Sequence, residues 1–418
     1  MRSALRVIAI SSAALFVPLL IPLAIGRVFT LDDLGRYHIP MRYVYWQALH
    51  QGDSILWTPA VFSGFYLFGE SQLGMAHPWH LLLYRFLPLV VAVNLELISS
   101  YVVMFAGFTL LLKRIGFSRE SRCFGAMLFT FSGYNLFHVI HLNLIAGIAH
   151  IPWLLLAAHV LATAKDRKTR ARAAVALSLL FASQILVGHL QETWLGLVAV
   201  GGMCLYLLWR NAAARGIVLI AGALMVGALV GGVQLLPLLD AVRSSERTGW
   251  SLASSLSFSL APVDVIQLWS PITFESRPSI EQVGVHEFIV YNGAFCTAAI
   301  AWVGLRRGAL QRSRLAGALL IFAAIGLLLA LGKYTGLYPS LLAVPGLRWF
   351  RAPSRYLLLY HLSISVLAVI VFEDLVALLR RGERIPERQC RRRARGGRKV
   401  MGTCFLLYPR VQRHVAVP

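Results

Sequence analysis

This chain contains many separate runs of apolar residues that are long enough to cross a membrane, and these runs limit the folds it can adopt. A helix needs roughly 20 residues to cross a hydrocarbon core about 30 Å thick. Only 14% of the residues are charged, whereas a soluble domain carries about a quarter. We therefore predict an all-α polytopic membrane protein. About ten spans are expected, at approximately 7–29, 86–112, 123–140, 143–162, 173–188, 193–209, 216–239, 288–305, 315–331 and 356–379.

The first apolar run follows Arg2 and Arg6 and could be read as a secretory signal peptide. Three features argue against that interpretation: the run is long for the apolar core of a signal, it contains Pro18 and Pro22, and it lacks a small-x-small cleavage site. We expect a retained first transmembrane helix. The pair 123–162 is the weakest of the ten-span assignment, since it could be one broken, re-entrant unit.

The basic residues are distributed unevenly between the connecting segments. With a cytoplasmic N-terminus, the predicted cytoplasmic segments hold 17 of the 40 Lys and Arg residues, and the tail from Arg380 holds 12 more. This positive-inside bias predicts a multi-pass protein of the inner (cytoplasmic) membrane. It leaves three partly helical extracytoplasmic loops, at 30–85, 240–287 and 332–355. The basic residues form no continuous face, which argues against nucleic acid despite the net charge of +22.

Two regions are expected: a transmembrane domain over 1–380 and a basic cytoplasmic tail over 381–418. The tail includes QCRRRARGGRKVMGTC and could touch anionic lipid. A chain end produced by truncation or a frame shift explains its composition equally well. The five cysteines form no Cys-x-x-Cys pair, so neither a disulfide framework nor a zinc site is expected.

The first outer loop places two acidic residues directly after the first span, where lipid headgroups meet water. A carboxylate of Asp33 or Asp32 could accept a proton there from a sugar hydroxyl; the alternative is that it caps the next helix. Arg36, His38 and Arg42 follow on a helix expected to start near Asp33. These cations could bind a lipid phosphate, or pair with the two acids.

Histidines form two further candidate clusters. His77 and His80 in HPWH, with Glu70 nearby, could supply metal ligands, and so could His138 and His141 in HVIH. Two histidines are a weak metal signal, and the proline within HPWH disfavours a regular helical site. A divalent metal therefore has no support from the sequence.

The third outer segment is basic on the side that should be poor in positive charge, with Lys333, Arg348, Arg351 and Arg355. The planar guanidinium of arginine suits bidentate binding of phosphate, while contact with lipid headgroups is the alternative. We predict that Arg351 and Arg355 bind an anionic group. No Walker-type loop and no Gly-x-Ser-x-Gly turn occurs, so nucleotide binding and serine hydrolysis have no sequence support.

Six stretches between about residues 30 and 375 form a combined pattern: GDSILWTPAVFSGF, HPWHLLLYRFLP, FSGYNLFHVIHLNLIAGIAHIPWLLLA, GHLQETW, SFSLAPVDVIQLWSP and GKYTGLYPSLLAVPGLRWFRAPSRY. This pattern resembles the YfhO-like family of bacterial membrane proteins, which is placed among glycosyltransferases of the GT-C architecture. Family members are usually longer. The resemblance stops near Leu379, where the basic tail begins, and this favours a truncated chain.

The resemblance implies a GT-C-like membrane domain that moves a sugar from a polyprenyl-phosphate donor to an extracytoplasmic glycan, teichoic acid or protein acceptor. Such enzymes generally place an essential acid in the first outer loop. Asp33, seven residues before Pro40, fits that position best, and Asp32 is the second choice.

The residues and the resemblance together suggest an inverting transferase with Asp33 as the general base and no cofactor. Its expected partners are the polyprenyl-phosphate-linked sugar, the membrane lipids and the acceptor. The expected substrate-binding residues are Arg36, His38, Arg42, Glu70, His77, His80, Arg351 and Arg355. The alternative is a non-catalytic transporter or accessory protein for lipid-linked sugars, which would need the cations but no base.

Overall fold

The computed structural model describes residues 2–210, 214–270, 284–306, 308, 310–344 and 346–381. Over these residues the protein is all-helical, and the one β pairing is an isolated bridge between Thr58 and Phe65. The predicted basic tail beyond residue 381 and part of the second predicted outer segment, 271–283, lie outside the described residues. The α-helices are α1 (Arg2–Ala24), α2 (Ile39–Gln51), α3 (Leu67–Glu70), α4 (Pro78–Phe86), α5 (Leu89–Ile115), α6 (Arg119–Thr130), α7 (Gly133–Phe137), α8 (Leu142–Thr163), α9 (Arg167–Leu186), α10 (Leu190–Trp209), α11 (Ala214–Val230), α12 (Gly232–Arg243), α13 (Leu252–Ser255), α14 (Ala294–Arg306), α15 (Ser313–Ala330), α16 (Leu337–Leu341) and α17 (Leu357–Arg381).

Among the described helices, five are long and apolar enough to cross a membrane, and the number rises to seven if each of two bent pairs is one span. The five are α5, α8, α10, α15 and the stretch Pro353–Arg380 that contains α17. The bent pairs are α6 with Gly133–Ile140, at 43°, and α11 with α12, at 70°. The described part of the chain is therefore that of an all-α membrane protein and contains five to seven candidate spans.

Each of the ten predicted spans coincides with a helix or a bent pair, but three of them fall short of this test. Among the described residues, the apolar stretches Ile10–Ala24 of α1 and Ala294–Arg306 of α14 are shorter than a span, and α9 carries arginines in its first two turns. Length and apolarity of the described helices thus support five to seven of the ten predicted spans.

The predicted continuous span 216–239 is wrong in one respect, because the helix breaks between Val230 and Gly232. Two consecutive glycines supply no side chains to support a continuous helix at this point, and Pro237 follows in the next turns. A Cβ on Gly231 would lie 3.0 Å from Ile185, so the missing side chain of this glycine also allows close packing against α9.

The core is built around α8, which packs against α5, α9, α10 and α11. Small residues allow these approaches: a Cβ on Gly107 of α5 would overlap the Trp153 ring of α8, and the Trp153 indole donates to the Val103 carbonyl at 2.9 Å. Close backbone packing with few polar partners is the usual way in which membrane helices associate.

The three predicted outer segments are partly helical, as expected. The first begins with a π turn, Leu34–His38, that runs directly into α2 and is preceded by Asp32 in a left-handed conformation (φ 46°). The second contains the 3-10 turn Glu246–Gly249, and the third contains the 3-10 turn Leu347–Trp349.

Two compact units are distinguished along the chain, Met1–Val371 and Phe372–Pro418. The first contains every residue of the site described below. The described part of the second consists of the last turns of α17.

Candidate functional site

Residues from all three predicted outer segments line one open cavity of about 670 Å³. Asp33, Tyr37, His38 and Glu70 come from the first segment. Arg247 comes from the second, and Arg351 belongs to the third. Segments that are more than 200 residues apart in sequence therefore meet around a single space.

Two histidines enter this cavity from breaks that precede membrane helices. His141 precedes α8 and His189 precedes α10, and both have an extended backbone that directs the chain into the helix. Both residues line the cavity. The positive ends of two helix dipoles therefore lie at the cavity wall, which favours negative charge there.

Asp33 is held by His141. The Nε2 of His141 donates to Asp33 Oδ2 at 3.1 Å, and this hydrogen bond lowers the pKa of Asp33 below its usual value of 3.8. The Asp33 side chain is still 51% exposed, whereas that of His141 is 11% exposed. Asp33 is thus an ionised carboxylate with one oxygen oriented by the protein and with access to the cavity.

Arg355 lines the cavity, but its guanidinium is already engaged. It forms a bidentate pair with Glu287, at 3.0 Å from Nε and 2.7 Å from Nη2 to Oε1, and donates from Nη1 to Gln191 Oε1 at 3.2 Å. Burial opposes ionisation of Glu287, but Arg355 and His138 together outweigh it and keep the pKa of this carboxyl well below its ordinary value. Arg355 therefore mainly stabilises the cavity wall by linking Glu287 to Gln191.

The same guanidinium fixes the tautomer of His189. Arg355 Nη1 lies 3.3 Å from His189 Nε2, and because arginine can only donate, Nε2 must accept. The ring proton is then on Nδ1, which faces the carboxylate of Glu192. Burial also lowers the pKa of His189 well below its usual value, so this ring is neutral.

Arg351 and Arg247 are the cations left for a ligand. Arg351 is exposed and lies over the Phe258 ring at 5.7 Å, while Arg247 lies 4.9 Å from the Trp250 ring and donates to the Trp349 carbonyl at 3.2 Å. Neither has a carboxylate within 4.0 Å among the described residues. Burial, followed by the nearby Arg351, lowers the pKa of Arg247, and Glu70 opposes this only in part.

Glu70 brings a second carboxyl to the cavity. It accepts from the backbone N–H of Gln72 at 2.9 Å and from the Gln72 side chain at 2.7 Å. Burial raises its pKa to about 7, despite these hydrogen bonds. The pKa of Asp33 is thus lowered by its surroundings, whereas the pKa of Glu70 is raised.

Arg42, predicted to bind substrate, lies instead in a buried ion pair away from the cavity. Its side chain is 0% exposed, and Nε donates to Glu96 Oε2 at 2.9 Å. Tyr84 donates to the same oxygen at 2.5 Å, and His80 Nε2 lies 3.5 Å from Oε1. Arg42 therefore neutralises Glu96, because a charge buried alone would be costly. Together with His80 and Tyr84, it connects the first outer segment to α5.

The other predicted residues are divided between the cavity and its surroundings. His38 lines the cavity, and burial lowers its pKa to about 3, so it is neutral. Arg36 is 84% exposed and lies 3.9 Å from Asp32, on the solvent side of the π turn. His77 lies outside the cavity lining and shares the Ser183 hydroxyl with His150, at 2.9 and 2.8 Å.

The structure brings no metal site together from the candidate histidines. Within the part of the chain that is described, no group of three or more His, Cys, Asp or Glu side chains is placed to hold a metal ion. In HVIH, His138 bonds to Glu287 at 3.3 Å, while His141 bonds to Asp33.

Sequence reasoning missed Arg247, Glu287, His189 and Gln191 as parts of the site. A usable signal was present for Arg247, since it is another basic residue on the side that should be poor in them. Gln191 and His189 lie in GHLQETW, a stretch noted only for its resemblance.

Comparisons with protein-family models, with curated proteins and with solved structures find no match to this chain. An accessible, ionised carboxylate, that of Asp33, lines the same open cavity as Arg247 and Arg351, two cations with no carboxylate within 4.0 Å among the described residues. Such a set of side chains can accept a proton and bind an anion within one cavity.

Proposed function

We propose that the chain is a membrane glycosyltransferase of the GT-C type, similar to the YfhO-like family, that uses a polyprenyl-phosphate-linked sugar. The observation that carries the proposal is the presence of Asp33, Arg247 and Arg351 around one cavity. A transfer of this kind needs a proton acceptor and a binding site for a phosphate leaving group, and it needs both in one place.

In the proposed reaction, Asp33 accepts the proton of an acceptor hydroxyl as that oxygen attacks the anomeric carbon of the donor sugar. The bond between the anomeric carbon and the phosphate oxygen breaks, and the electron pair leaves with the phosphate. Arg351 and Arg247 stabilise the charge that develops there. The configuration at the anomeric carbon is inverted.

His141 would orient Asp33 in this reaction. Its hydrogen bond occupies Oδ2 and leaves Oδ1 for the acceptor hydroxyl. Glu70 and Tyr37, on the same cavity wall, would contact sugar hydroxyls. Arg355 and Glu287 would keep the loop before α17 in place beneath Arg351.

The proposed enzyme would lie in the inner membrane, with its cavity on the extracytoplasmic side. About ten spans would cross the inner membrane with the N-terminus in the cytoplasm, so that the cavity opens on the extracytoplasmic side. The support is the positive-inside distribution of Lys and Arg. The acceptor would be a cell-envelope glycan, teichoic acid or protein.

The test is sugar transfer from a polyprenyl-phosphate donor by the full chain in proteoliposomes, comparing Asp33→Asn with Asp32→Asn. Asp32 is a matched control, since it adjoins Asp33 and is 50% exposed but does not line the cavity. Asparagine also tolerates its left-handed backbone. We expect Asp33→Asn to lower kcat by about 10²- to 10⁴-fold and Asp32→Asn to leave it nearly unchanged.

Full activity in both variants would remove Asp33 as the base. If donor binding persisted and depended on Arg351 while no transfer occurred with the unmodified chain, the alternative of a transporter or accessory protein for lipid-linked sugars would replace the enzyme.

A further inference from the structure

A second cavity, of about 430 Å³, adjoins the one described above. Arg247 and Trp349 line both cavities, so they form a shared wall. Arg348 and Trp250 complete the polar and aromatic part of the second lining. Arg348 is one of the basic residues that are out of place on the predicted outer side, and the proposed reaction gives it no role.

The lining combines two guanidinium groups with two indole rings. The Arg247 guanidinium lies 4.9 Å from the Trp250 ring, and it donates to the Trp349 carbonyl at 3.2 Å. The backbone of Arg348 is fixed by Ser255 Oγ, which donates to its carbonyl at 2.7 Å. The Arg348 side chain is exposed and has no hydrogen-bond or ion-pair partner among the residues whose placement is described.

The chemistry of this lining selects a ligand class. Guanidinium groups bind carboxylates and phosphates in a bidentate manner, and the apolar face of a sugar ring can pack on an indole. The described lining contains no acidic residue that would oppose an anion. A ligand with both a sugar face and a negative charge matches these groups better than a neutral saccharide does.

We propose that the second cavity binds the acceptor, and that this acceptor is a saccharide carrying carboxylate or phosphate groups. The role as acceptor rests on the proposed function, because the shared wall of Arg247 and Trp349 would place such a saccharide beside the cavity that Asp33 lines. Arg247 would then contact the acceptor on one side and the leaving phosphate on the other.

The experiment uses the full chain in phosphatidylcholine nanodiscs and measures the Kd of an oligogalacturonate and of its fully methyl-esterified form by calorimetry. The two probes share a carbohydrate backbone and differ in charge. The variants are Arg348→Gln and, as a matched control, Arg243→Gln, which removes an exposed arginine that lines neither cavity.

We expect the acidic oligosaccharide to bind at least about tenfold more tightly than the ester, because charge-assisted hydrogen bonds of this kind contribute that much. Arg348→Gln should abolish most of this difference, and Arg243→Gln should leave it unchanged. Equal affinity for the two probes, or an unchanged Kd in Arg348→Gln, would overturn the proposal.

Two further measurements distinguish a saccharide from a lipid headgroup as the ligand, and a failure of this proposal from a failure of the proposed function. If the acidic probe does not bind, while phosphatidylglycerol in the nanodiscs is retained in an Arg348-dependent way, the cavity holds a lipid headgroup and the proposal is wrong. Asp33→Asn should retain oligogalacturonate binding. Binding without any transfer by the unmodified chain would reject the glycosyltransferase assignment, and with it the acceptor role, while leaving a saccharide site.

Discussion

Removing the Arg42 guanidinium should destabilise the fold strongly rather than weaken substrate binding. In the native protein Arg42 and Glu96 are both essentially inaccessible, with side chains 0% and 1% exposed. Arg42→Met keeps much of the side-chain volume but leaves the carboxylate with only the Tyr84 hydroxyl, at 2.5 Å, and His80, at 3.5 Å. Breaking a buried ion pair in this way costs about 3 to 5 kcal/mol.

The matched control is Arg36→Met, a change of the same chemistry six residues earlier. Arg36 is 84% exposed and lies 3.9 Å from Asp32, so the loss of this surface pair should cost less than about 1 kcal/mol. The free energy of unfolding of each variant is obtained from denaturant titration in mixed micelles, monitored by tryptophan fluorescence.

A double variant tests the cause. In Arg42→Met with Glu96→Gln, no uncompensated charge remains, and the amide can still accept the Tyr84 hydrogen bond, so at least half of the lost stability should return. The reasoning is refuted if Arg42→Met is within about 1 kcal/mol of the unmodified chain. A raised KM for the lipid-linked donor in that stable variant would return Arg42 to the binding site.

Three other changes have defined outcomes. His141→Asn removes the hydrogen bond that lowers the pKa of Asp33, so the acidic limb of the pH profile of kcat/KM should move to higher pH; an unmoved limb would separate the two residues functionally. Burial raises the pKa of Glu70 from 4.5 to about 7, so the free energy of unfolding should fall by roughly 3 kcal/mol as pH rises between these values. In thermal unfolding, the stability of Glu70→Gln should not fall over this pH range. If the variant and the unmodified chain showed the same pH dependence, the prediction would be wrong. Gly188→Ala places a Cβ against the Ser71 carbonyl at φ 88°, and should cost more than about 1 kcal/mol in the same titration, whereas a change below this would show that the turn can adjust.

Much of the fold could be predicted from the apolar blocks and from the prolines that mark helix starts. The apolar blocks became helices, and Pro78 in HPWH begins α4 at its first turn, where a missing N–H is harmless. The break at Gly231 and Gly232 was not predicted, since hydropathy averages over a window that spans both halves of a bent pair. Helix bending depends on local backbone support, which an average of this kind does not measure.

The candidate site was harder to predict because its charged residues pair with partners that are far away in the sequence. Arg42 and Glu96 are 54 residues apart, and Arg355 and Glu287 are 68 apart, yet each pair is buried together. Read singly, Arg42 resembles a phosphate ligand and Glu96 a charge within a span. Only the tertiary structure shows that they neutralise each other. It also shows Arg247 and Arg351 at the cavity with no carboxylate within 4.0 Å among the described residues.

A cryo-electron microscopy structure of the Asp33→Asn variant with a bound polyprenyl-phosphate-linked sugar would test whether these side chains surround one donor. We expect phosphate oxygens about 3 Å from the guanidinium groups of Arg351 and Arg247. We also expect the anomeric carbon to face the side chain at position 33 in this arrangement. A donor bound elsewhere, or a phosphate in this cavity with its sugar turned away from position 33, would contradict it.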